Sequence, residues 1–460
     1  MTTHFYRLMF IVVAALTSMI GCGEKTESDH DGAPDQVDTN NDVEVVFGND
    51  TDSDDFLPDS DPTPLELTEK WAIHWGFEDS PGGDRATTVI ASADGSLLVA
   101  GENSEVSIDE PASTEGGFFL TKVNSDGTIA WSSLSADILN AHEGHSVAVD
   151  AAGNCLAAGY NNDQIQIVKF DKNGEKVWAQ EYGSDARDWA DAIAVDTAGN
   201  GYIAGTTRGA LYGNTYGGGN DPFLMKISAD SEIVWVRQWN DDKQDQAHAV
   251  ALDGDNAVYV VGRTEDNADP DGGGDRSKAF LIKFTPDGDE IWSRNWGVTE
   301  MWNIGYAVAV DKTGSVFVSG ITSGAFANNT SAGDADTFIA MFDADGAMEW
   351  VRQFGTDGWD SNYTVAVDDK GHVFAGGEVS YGTFCQENAC MYSFILAAYD
   401  YEGNRLYFKQ WKDIGDLNGI NSIATGSDGD IFLAGRATNN GNTPDPSWGG
   451  SVFLTRFTVE

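Results

Sequence analysis

Residues 192–205 read Ala-Ile-Ala-Val-Asp-Thr-Ala-Gly-Asn-Gly-Tyr-Ile-Ala-Gly, two short apolar runs joined by Asp-Thr-Ala-Gly-Asn. Apolar runs of this length on either side of a turn signal predict a β-hairpin, in which Asp accepts turn N–H groups and Gly takes positive φ. Related segments recur six more times, at Ile90–Gly95, Ser146–Asn154, Val250–Asp255, Ala307–Gly314, Val365–Gly371 and Ile423–Gly429. The chain is therefore built from seven repeats.

A second hairpin follows the first in each repeat. Its clearest copy, residues 280–292, reads Phe-Leu-Ile-Lys-Phe-Thr-Pro-Asp-Gly-Asp-Glu-Ile-Trp. An aromatic residue marks the centre of its last strand, at Trp131, Trp178, Trp235, Trp292, Trp350 and Tyr407. Each repeat thus predicts four short strands with turns between them.

The last repeat lacks its fourth strand. It starts near Asn421, and only its third strand precedes Glu460, whereas Lys70–Gly76 matches the fourth-strand pattern of Glu290–Gly297. Trp71 and Tyr407 are 336 residues apart, which over six intervals gives 56 residues per repeat and suits a propeller blade. We therefore predict an all-β fold, a single seven-bladed β-propeller of four-stranded blades over residues 65–460. An N-terminal strand closes the ring by completing the last blade.

The repeated Val-Asp-x-x-Gly-Asn-x-Tyr-x-Ala-Gly pattern resembles the SBBP beta-propeller repeat family of bacterial secreted proteins. The resemblance covers about residues 65–460 and implies the propeller fold in an exported protein. It implies little about activity, because propellers carry many functions.

The N-terminus has the features of an export signal. Arg7 precedes an apolar run from Leu8 to Ile20, which is too short to span a bilayer. Met19-Ile-Gly-Cys22 resembles a bacterial lipobox, which implies a signal peptide over residues 1–21 and a lipid on Cys22. Gly23 then favours an outer-membrane lipoprotein of the cell envelope, on the periplasmic side or the cell surface. An ordinary signal peptide with an incidental cysteine is the alternative.

Residues 22–64 read as an acidic, disordered tether. Between residues 24 and 64 there are 14 Asp or Glu and one Lys, a charge of −13. Such a segment buries too little apolar surface to order itself, and its charges repel one another.

The net charge of the protein limits the classes of partner that it can bind. The formal net charge is −48, and residues 65–460 carry −36 of it, from 24 basic and 60 acidic residues. Nucleic-acid binding needs clustered Lys and Arg, so nucleic acid is excluded, and the membrane is reached through the lipid alone. The acidity favours cationic, calcium-bridged or neutral-glycan partners.

The other cysteines and acidic clusters suggest local features. Cys385 and Cys390 stand five residues apart in a predicted loop, where an oxidising compartment allows a disulfide, whereas Cys155 reads as a buried, inert thiol. Asp269, Asp271 and Asp275 are candidate calcium ligands, and calcium is the one cofactor we consider. The repeated aspartates are interpreted as turn residues: Asp150, Asp196, Asp253, Asp311 and Asp368.

The residues that do not repeat lie in two classes of loop, between blades and in the middle of blades. Both classes emerge on one face of a propeller, and insertions gathered on one face usually mark the binding face of a repeat protein. The predicted ligand-binding residues there are Trp189, Trp302, Trp359, Tyr212, Tyr216, Asp188 and Asp360. Solvated loops without a ligand are the alternative.

We therefore expect a lipid-anchored, monomeric binding module for a protein or a glycan, with no catalytic residues assigned. Two alternatives stay open. One is an exported glycan hydrolase or lyase that uses carboxylates over the central channel, and the other is an envelope-assembly scaffold.

Overall fold

The computed structural model describes the greater part of the region predicted to form the propeller. The described residues are 65–75, 84–92, 94–103, 117–135, 146–161, 163–239, 243–265, 276–380, 393–411, 417–438 and 450–460.

Seven antiparallel sheets of four strands each form the blades. Blade 1 contains β2 (Asp84–Ala91), β3 (Leu97–Asn103), β4 (Gly117–Val123) and β5 (Ile129–Ser135). Blade 2 contains β6 (Ser146–Val149), β7 (Cys155–Asn161), β8 (Gln164–Phe170) and β9 (Lys176–Tyr182). Blade 3 contains β10 (Asp188–Val195), β11 (Gly201–Thr207), β12 (Asp221–Ile227) and β13 (Ile233–Gln238).

The remaining blades repeat this order. Blade 4 contains β14 (Gln246–Leu252), β15 (Val258–Glu265), β16 (Ser277–Phe284) and β17 (Glu290–Trp296). Blade 5 contains β18 (Asn303–Val310), β19 (Val316–Thr322), β20 (Asp336–Phe342) and β21 (Met348–Phe354). Blade 6 contains β22 (Trp359–Val367), β23 (Val373–Ser380), β24 (Ser393–Tyr399) and β25 (Arg405–Trp411). Blade 7 contains β26 (Leu417–Thr425), β27 (Ile431–Thr438), β28 (Gly450–Val459) and β1 (Leu67–Trp75).

The predicted closure is confirmed. Strand β1 pairs antiparallel with β28, from Leu67 opposite Val459 to Trp75 opposite Val452. Two further backbone hydrogen bonds extend the pairing, because Glu66 and Glu460 each donate to the carbonyl of the other, at 3.2 and 3.0 Å. The ring is therefore closed by hydrogen bonds between strands far apart in the sequence, and β1 gives the last blade the outermost fourth strand that each of the other six blades has.

The hydrophobic core is a ring of seven clusters, and each lies between two neighbouring blades. Between blades 2 and 3, for example, Ile167 packs with Ile203 and Met225, all of them fully buried. Because each sheet is covered on both faces, the second and third strands are apolar along nearly their whole length, as β11 and β20 illustrate.

An aromatic contact repeats at the circumference. The Trp292 Nε1–H of blade 4 donates to the Ala344 carbonyl of blade 5 at 3.2 Å, and Arg294 Nε donates to the Gly346 carbonyl at 2.7 Å. The indole lies against Gly346, where an added Cβ would come within 2.9 Å of the ring. Equivalent indole-to-carbonyl bonds join Trp71 to Ser125, Trp235 to Pro286 and Trp350 to Tyr401. The central aromatics therefore link neighbouring blades.

The order of strands gives the ring two different faces. In a four-stranded meander, the first-to-second and third-to-fourth connections lie on one face, which we call the turn face. The second-to-third connections and those between blades lie on the other, which we call the loop face. Residues Leu65 and Glu66 lie at the turn face, since β1 starts beside the end of β28.

The first strand of several blades is longer than the sequence pattern predicts. Strands β10, β14, β18 and β22 extend past Ala192, Ala249, Ala307 and Thr364 toward the loop face, through a β-bulge. A bulge shifts the side-chain alternation by one residue, so the apolar pattern breaks there although the strand continues. The residues just before the bulge therefore do not follow the apolar pattern from which a strand is predicted.

Candidate functional site

The turn face consists of tight turns that satisfy their own hydrogen bonds. In blade 3 the Asp196 Oδ1 accepts the Ala198 and Asn200 N–H groups at 3.0 and 2.9 Å, and its Oδ2 accepts the Asn200 side-chain amide at 2.8 Å. The same pattern of backbone N–H groups on a carboxylate occurs at Asp150, Asp253, Asp311 and Asp368. The interpretation of these aspartates as turn residues is confirmed.

The loop face is less regular, and its two kinds of loop touch each other. Short parallel bridges join Asn220 to Gln244 and Ala335 to Trp359, linking each mid-blade loop to the connection that follows. In blade 5 the Gln353 side chain holds the mid-blade loop by donating to the Gly324 carbonyl and accepting the Phe326 N–H, at 2.9 and 3.0 Å. Gln238 holds the loop of blade 3 in the same way. Side-chain hydrogen bonds therefore hold both of these loops in a defined conformation.

Asp188 and Asp360, two predicted ligand-binding residues, are completely buried. The Asp360 carboxylate accepts the Thr356 N–H at 2.5 Å and the Thr356 hydroxyl at 2.9 Å, and Asp188 accepts the same groups from Ser184 at 2.5 and 2.9 Å. Burial raises the pKa of Asp360 to about 7, although its hydrogen bonds to Thr356 oppose this. Both carboxylates fix the connection that leads into their blade, at the start of β22 and β10.

Trp302 and Trp359 form an aromatic pair across two blades. Their ring centroids are 5.5 Å apart at an interplanar angle of 84°, an edge-to-face arrangement. Trp302 precedes β18 and Trp359 begins β22, so the pair lies on the loop face between blades 5 and 6, and both side chains are half-buried. The structure therefore brings together two of the three predicted tryptophans.

Trp189 lies elsewhere on this face, between two guanidinium groups. Arg187 and Arg208 lie 5.3 and 5.7 Å from its ring centroid, and Arg187 also lies 5.6 Å from the Tyr160 ring of blade 2. These distances are those of cation–π contacts. A second aromatic group is thus accompanied by positive charge within a strongly acidic protein.

Tyr212 and Tyr216 are the exposed aromatic residues of the blade 3 loop, with 47% and 38% of their surface accessible. The Tyr212 hydroxyl accepts the Gly183 N–H at 3.0 Å, and the Tyr216 hydroxyl donates to the Gly219 carbonyl at 3.0 Å. Their rings are therefore held in place while remaining open to a ligand.

Three residues that sequence reasoning missed line one side of the axis of the ring. His248, Tyr306 and Tyr363 occupy the bulge of blades 4, 5 and 6. Their rings touch in sequence, with centroids 5.2 Å apart from His248 to Tyr306 and 5.4 Å from Tyr306 to Tyr363. Their signal in the sequence was that each directly precedes the apolar part of the first strand, a position that varies among repeats.

A cluster of charges lies beside these rings. Arg85 of blade 1 pairs with Glu102, and Glu378 of blade 6 lies near Arg85 and Arg436 of blade 7. Burial raises the pKa of Glu378, and the two guanidiniums oppose this. Burial raises the pKa of Tyr363, and the Arg85 guanidinium opposes this. Blade 7 lies between the blades of these two residues, so their interaction places both side chains near the axis of the ring.

Acids with raised pKa values do not share one site among the described residues. Asp360 binds its own loop, Glu378 lies near the axis, and Glu69, whose pKa burial raises to about 7, lies on the outermost strand β1. A pair of carboxylates arranged for glycan cleavage would need to face one substrate. The described part of the ring therefore gives the enzyme alternative no specific support.

Several predicted features lie outside the described residues: Cys22, Cys385, Cys390, Asp269, Asp271 and Asp275. Within the described ranges, no group of three or more His, Cys, Asp or Glu side chains is arranged to hold a metal ion. Cys155 is buried in blade 2 and burial raises its pKa, as expected for an inert thiol. The described residues include no helix that is long and apolar enough to cross a membrane.

Comparison with known proteins finds distant similarity to solved structures and no match in sequence. No protein-family model matches the chain, and no curated protein matches it. Among solved structures, a Lactobacillus plantarum protein is 11% identical with a TM-score of 0.43, covering 77% of this chain and 91% of its own. A Bacteroides caccae protein of unknown function is 12% identical with a TM-score of 0.35, covering 64% and 94%. Puromycin hydrolase is 14% identical with a TM-score of 0.47, covering 78% and 51%. Likeness at this level carries no argument about function.

Proposed function

We propose that the protein is a lipid-anchored, extracytoplasmic binding module that engages a protein or a glycan of the bacterial cell envelope through its loop face. The observation that supports this most is the difference between the two faces. The turn face repeats self-satisfied turns, whereas the loop face carries the Trp302–Trp359 pair and the exposed Tyr212 and Tyr216. Half-exposed aromatic side chains held rigidly are typical of binding surfaces.

The position of Leu65 supports the same proposal. The chain enters the ring at the turn face, where the Leu65 N–H donates to the Leu406 carbonyl at 3.0 Å. If Cys22 carries a lipid and residues 22–64 form a tether, the attachment joins the ring on the face opposite the loops. The loop face then stays accessible while the protein is anchored.

The test measures binding of the labelled full-length protein to isolated envelope fractions, before and after their proteins or glycans are digested away. We expect saturable binding that Trp302→Ala and Trp359→Ala each weaken by about tenfold, which is about 1.4 kcal/mol of binding free energy. Val234→Ala is the control, because Val234 is 53% exposed on the outer strand β13, far from the loops.

Equal binding by the tryptophan variants and the wild type would refute the assignment to the loop face. Loss of binding after only one of the two digestions identifies the partner as protein or glycan.

A further inference from the structure

The arginines of the ring divide into groups with different positions. Eleven arginines lie beyond residue 65. Four of them donate to turn carbonyls of the following blade: Arg237, Arg294, Arg352 and Arg456. Five others lie at the loop-face ends of the two inner strands of a blade, or beside them: Arg85, Arg187, Arg208, Arg263 and Arg436. Five of the eleven arginines therefore lie near the inner strands at the loop face, the end of the ring that we call the mouth of the central channel.

Neighbouring side chains hold these guanidinium groups in place. Arg85 pairs with Glu102, Arg263 Nε donates to Gln246 Oε1 at 2.8 Å, and Arg208 Nε donates to Asn220 Oδ1 at 2.9 Å. A guanidinium that is already oriented loses less entropy when it binds a carboxylate, and it can do so through two parallel hydrogen bonds.

An aromatic arc lies beside some of these guanidinium groups, at the inner strands of blades 4, 5 and 6. His248, Tyr306 and Tyr363 form a continuous arc over three blades, and their side chains are half-buried. Burial, together with the Arg263 guanidinium, lowers the pKa of His248 to about 3, so the imidazole is neutral at physiological pH. The arc therefore presents apolar ring faces and neutral polar groups.

Several buried polar atoms near the inner strands have no hydrogen-bond partner among the described residues. They include His248 Nε2, Thr206 Oγ1, Ser319 Oγ and Asn362 Nδ2. A buried polar atom without a partner costs free energy, and hydroxyl groups of a ligand can remove that cost.

We propose that the loop-face mouth of the channel binds a single carboxylate-bearing sugar, a hexuronate. Its carboxylate faces Arg85 and Arg436, the two guanidinium groups beside Glu102 and Glu378. Its ring packs on Tyr306 and Tyr363, and its hydroxyls bond His248. This inference rests on the proposed function and names the ligand class of the same face.

The charge of the whole ring limits the ligand to one acidic group at this place. Residues 65–460 carry −36, so a run of carboxylates would meet repulsion wherever it leaves the mouth. At physiological ionic strength charges are screened over about 8 Å, so one carboxylate next to the arginines is repelled little by the rest of the ring. A long polyanion extends beyond that distance and meets the repulsion. The site therefore selects a terminal or isolated uronate.

The experiment is titration calorimetry on the full-length protein with D-glucuronate and D-galacturonate. We expect at least one of them to bind, with D-glucose and acetate each at least about tenfold weaker, because each lacks one half of the recognised chemistry. Tetragalacturonate should bind no more tightly than the monomer.

Variants connect binding to the named residues. Arg436→Gln and Arg85→Gln should each weaken hexuronate binding by at least about tenfold. Arg405→Gln, on the outermost strand β25, should leave it within about twofold, since that guanidinium lies away from the axis. His248→Phe should weaken binding and also identify the His248 ring signal in the NMR spectrum, which should shift on addition of hexuronate to the wild type.

Each other outcome overturns the inference. Equal affinity for glucose or acetate excludes hexuronate selectivity, and tighter binding of tetragalacturonate excludes the single-acid site. Absence of hexuronate binding up to about 10 mM also overturns it. Melting curves show whether each variant is folded, and the NMR shift of the wild type tests the site without any variant. Envelope binding that depends on Trp302 and Trp359 but occurs without hexuronate binding would refute this site and leave the proposed function standing.

Discussion

At the scale of single residues, position decides what a carboxylate does in this ring. Asp360 and Asp171 both accept backbone N–H groups, but their surroundings differ. Asp360 is completely buried near Asp336 and Asp357, whereas Asp171 is partly exposed beside Lys172. Burial raises the pKa of Asp360 to about 7, whereas hydrogen bonds from Glu175 and Asn173 lower the pKa of Asp171. The two residues should therefore make stability depend on pH in opposite directions.

We predict that Asp360→Asn gains stability relative to the wild type as pH rises from about 4 to 7. The folded protein binds the Asp360 proton more tightly than the unfolded chain, so the stability contributed by the protonated group is present below about pH 4 and is lost as pH rises through 7. Urea unfolding midpoints of both proteins at pH 4, 5, 6, 7 and 8 measure the difference.

Asp171→Asn is the matched control with the opposite sign. The Asp171 carboxylate of the wild type stabilises the fold above the pKa of the unfolded state, and this stabilisation is lost as pH falls. The free energy of unfolding of the variant should therefore decrease relative to that of the wild type as pH rises from acid values. Parallel curves for Asp360→Asn and the wild type would contradict the prediction.

At the scale of the strands and turns, close contacts with the neighbouring element determine where the repeated glycines occur. Gly262 lies within the second strand of blade 4, where a Cβ would meet the Gln246 carbonyl at the bulge and lie 2.8 Å from the Phe280 ring. The glycine that recurs at this place in the sequence is therefore required by the bulge in the neighbouring strand.

We predict that Gly346→Ala destabilises the protein by at least about 2 kcal/mol, since an alanine pays about 1–2 kcal/mol for the left-handed conformation before any steric cost. Gly346 has φ +78°, and an added Cβ would come within 2.9 Å of the Trp292 indole of the preceding blade. Thermal melting followed by tryptophan fluorescence measures the loss.

Gly254→Ala is the matched control for this turn. Gly254 lies in the first turn of blade 4 without positive φ, and no atom lies within 4 Å of its added Cβ. Its melting temperature should stay within about one or two degrees of the wild type. Equal destabilisation by both substitutions would contradict the prediction, because neither the positive φ of Gly346 nor its contact with Trp292 would then add to the cost.

The sequence predicts the parts of each strand that keep their alternation and fails where the bulge breaks it. Residues 192–205 carried a clear hairpin signal because Ile193, Val195 and Ile203 face buried neighbours in a regular register. Tyr306 and Tyr363 carried none, because their positions follow from a register shift that depends on the neighbouring strand. The aromatic arc at the axis could therefore be recognised only in three dimensions.

At the scale of the whole molecule, closure makes stability a property of the complete ring. Each hydrophobic cluster joins two blades, and the cluster between blades 7 and 1 includes Trp75 of β1 together with Phe119 and Phe432. Without β1, strand β28 would have an unpaired edge and this cluster would lose part of its side chains.

We predict that deletion of residues 65–75 abolishes cooperative unfolding or lowers the melting temperature by more than about 10 °C, because backbone pairing and apolar burial are lost together. Deletion of the equally long segment 51–61 is the control and should change the melting temperature by no more than about two degrees. Differential scanning calorimetry compares the two. An unchanged transition after deletion of β1 would show that the six complete blades are stable by themselves.

The entry of the chain at Leu65 has a mechanical consequence for a protein attached at one end. If residues before Leu65 lead to the proposed anchor, a pull between that anchor and a ligand on the loop face passes through β1. The backbone pairing of β1 with β28 from Leu67 to Trp75, and the burial of Trp75 between blades 7 and 1, then resist the removal of this strand. The strand that completes the ring would thus also be the element that bears tension between the cell and whatever it holds.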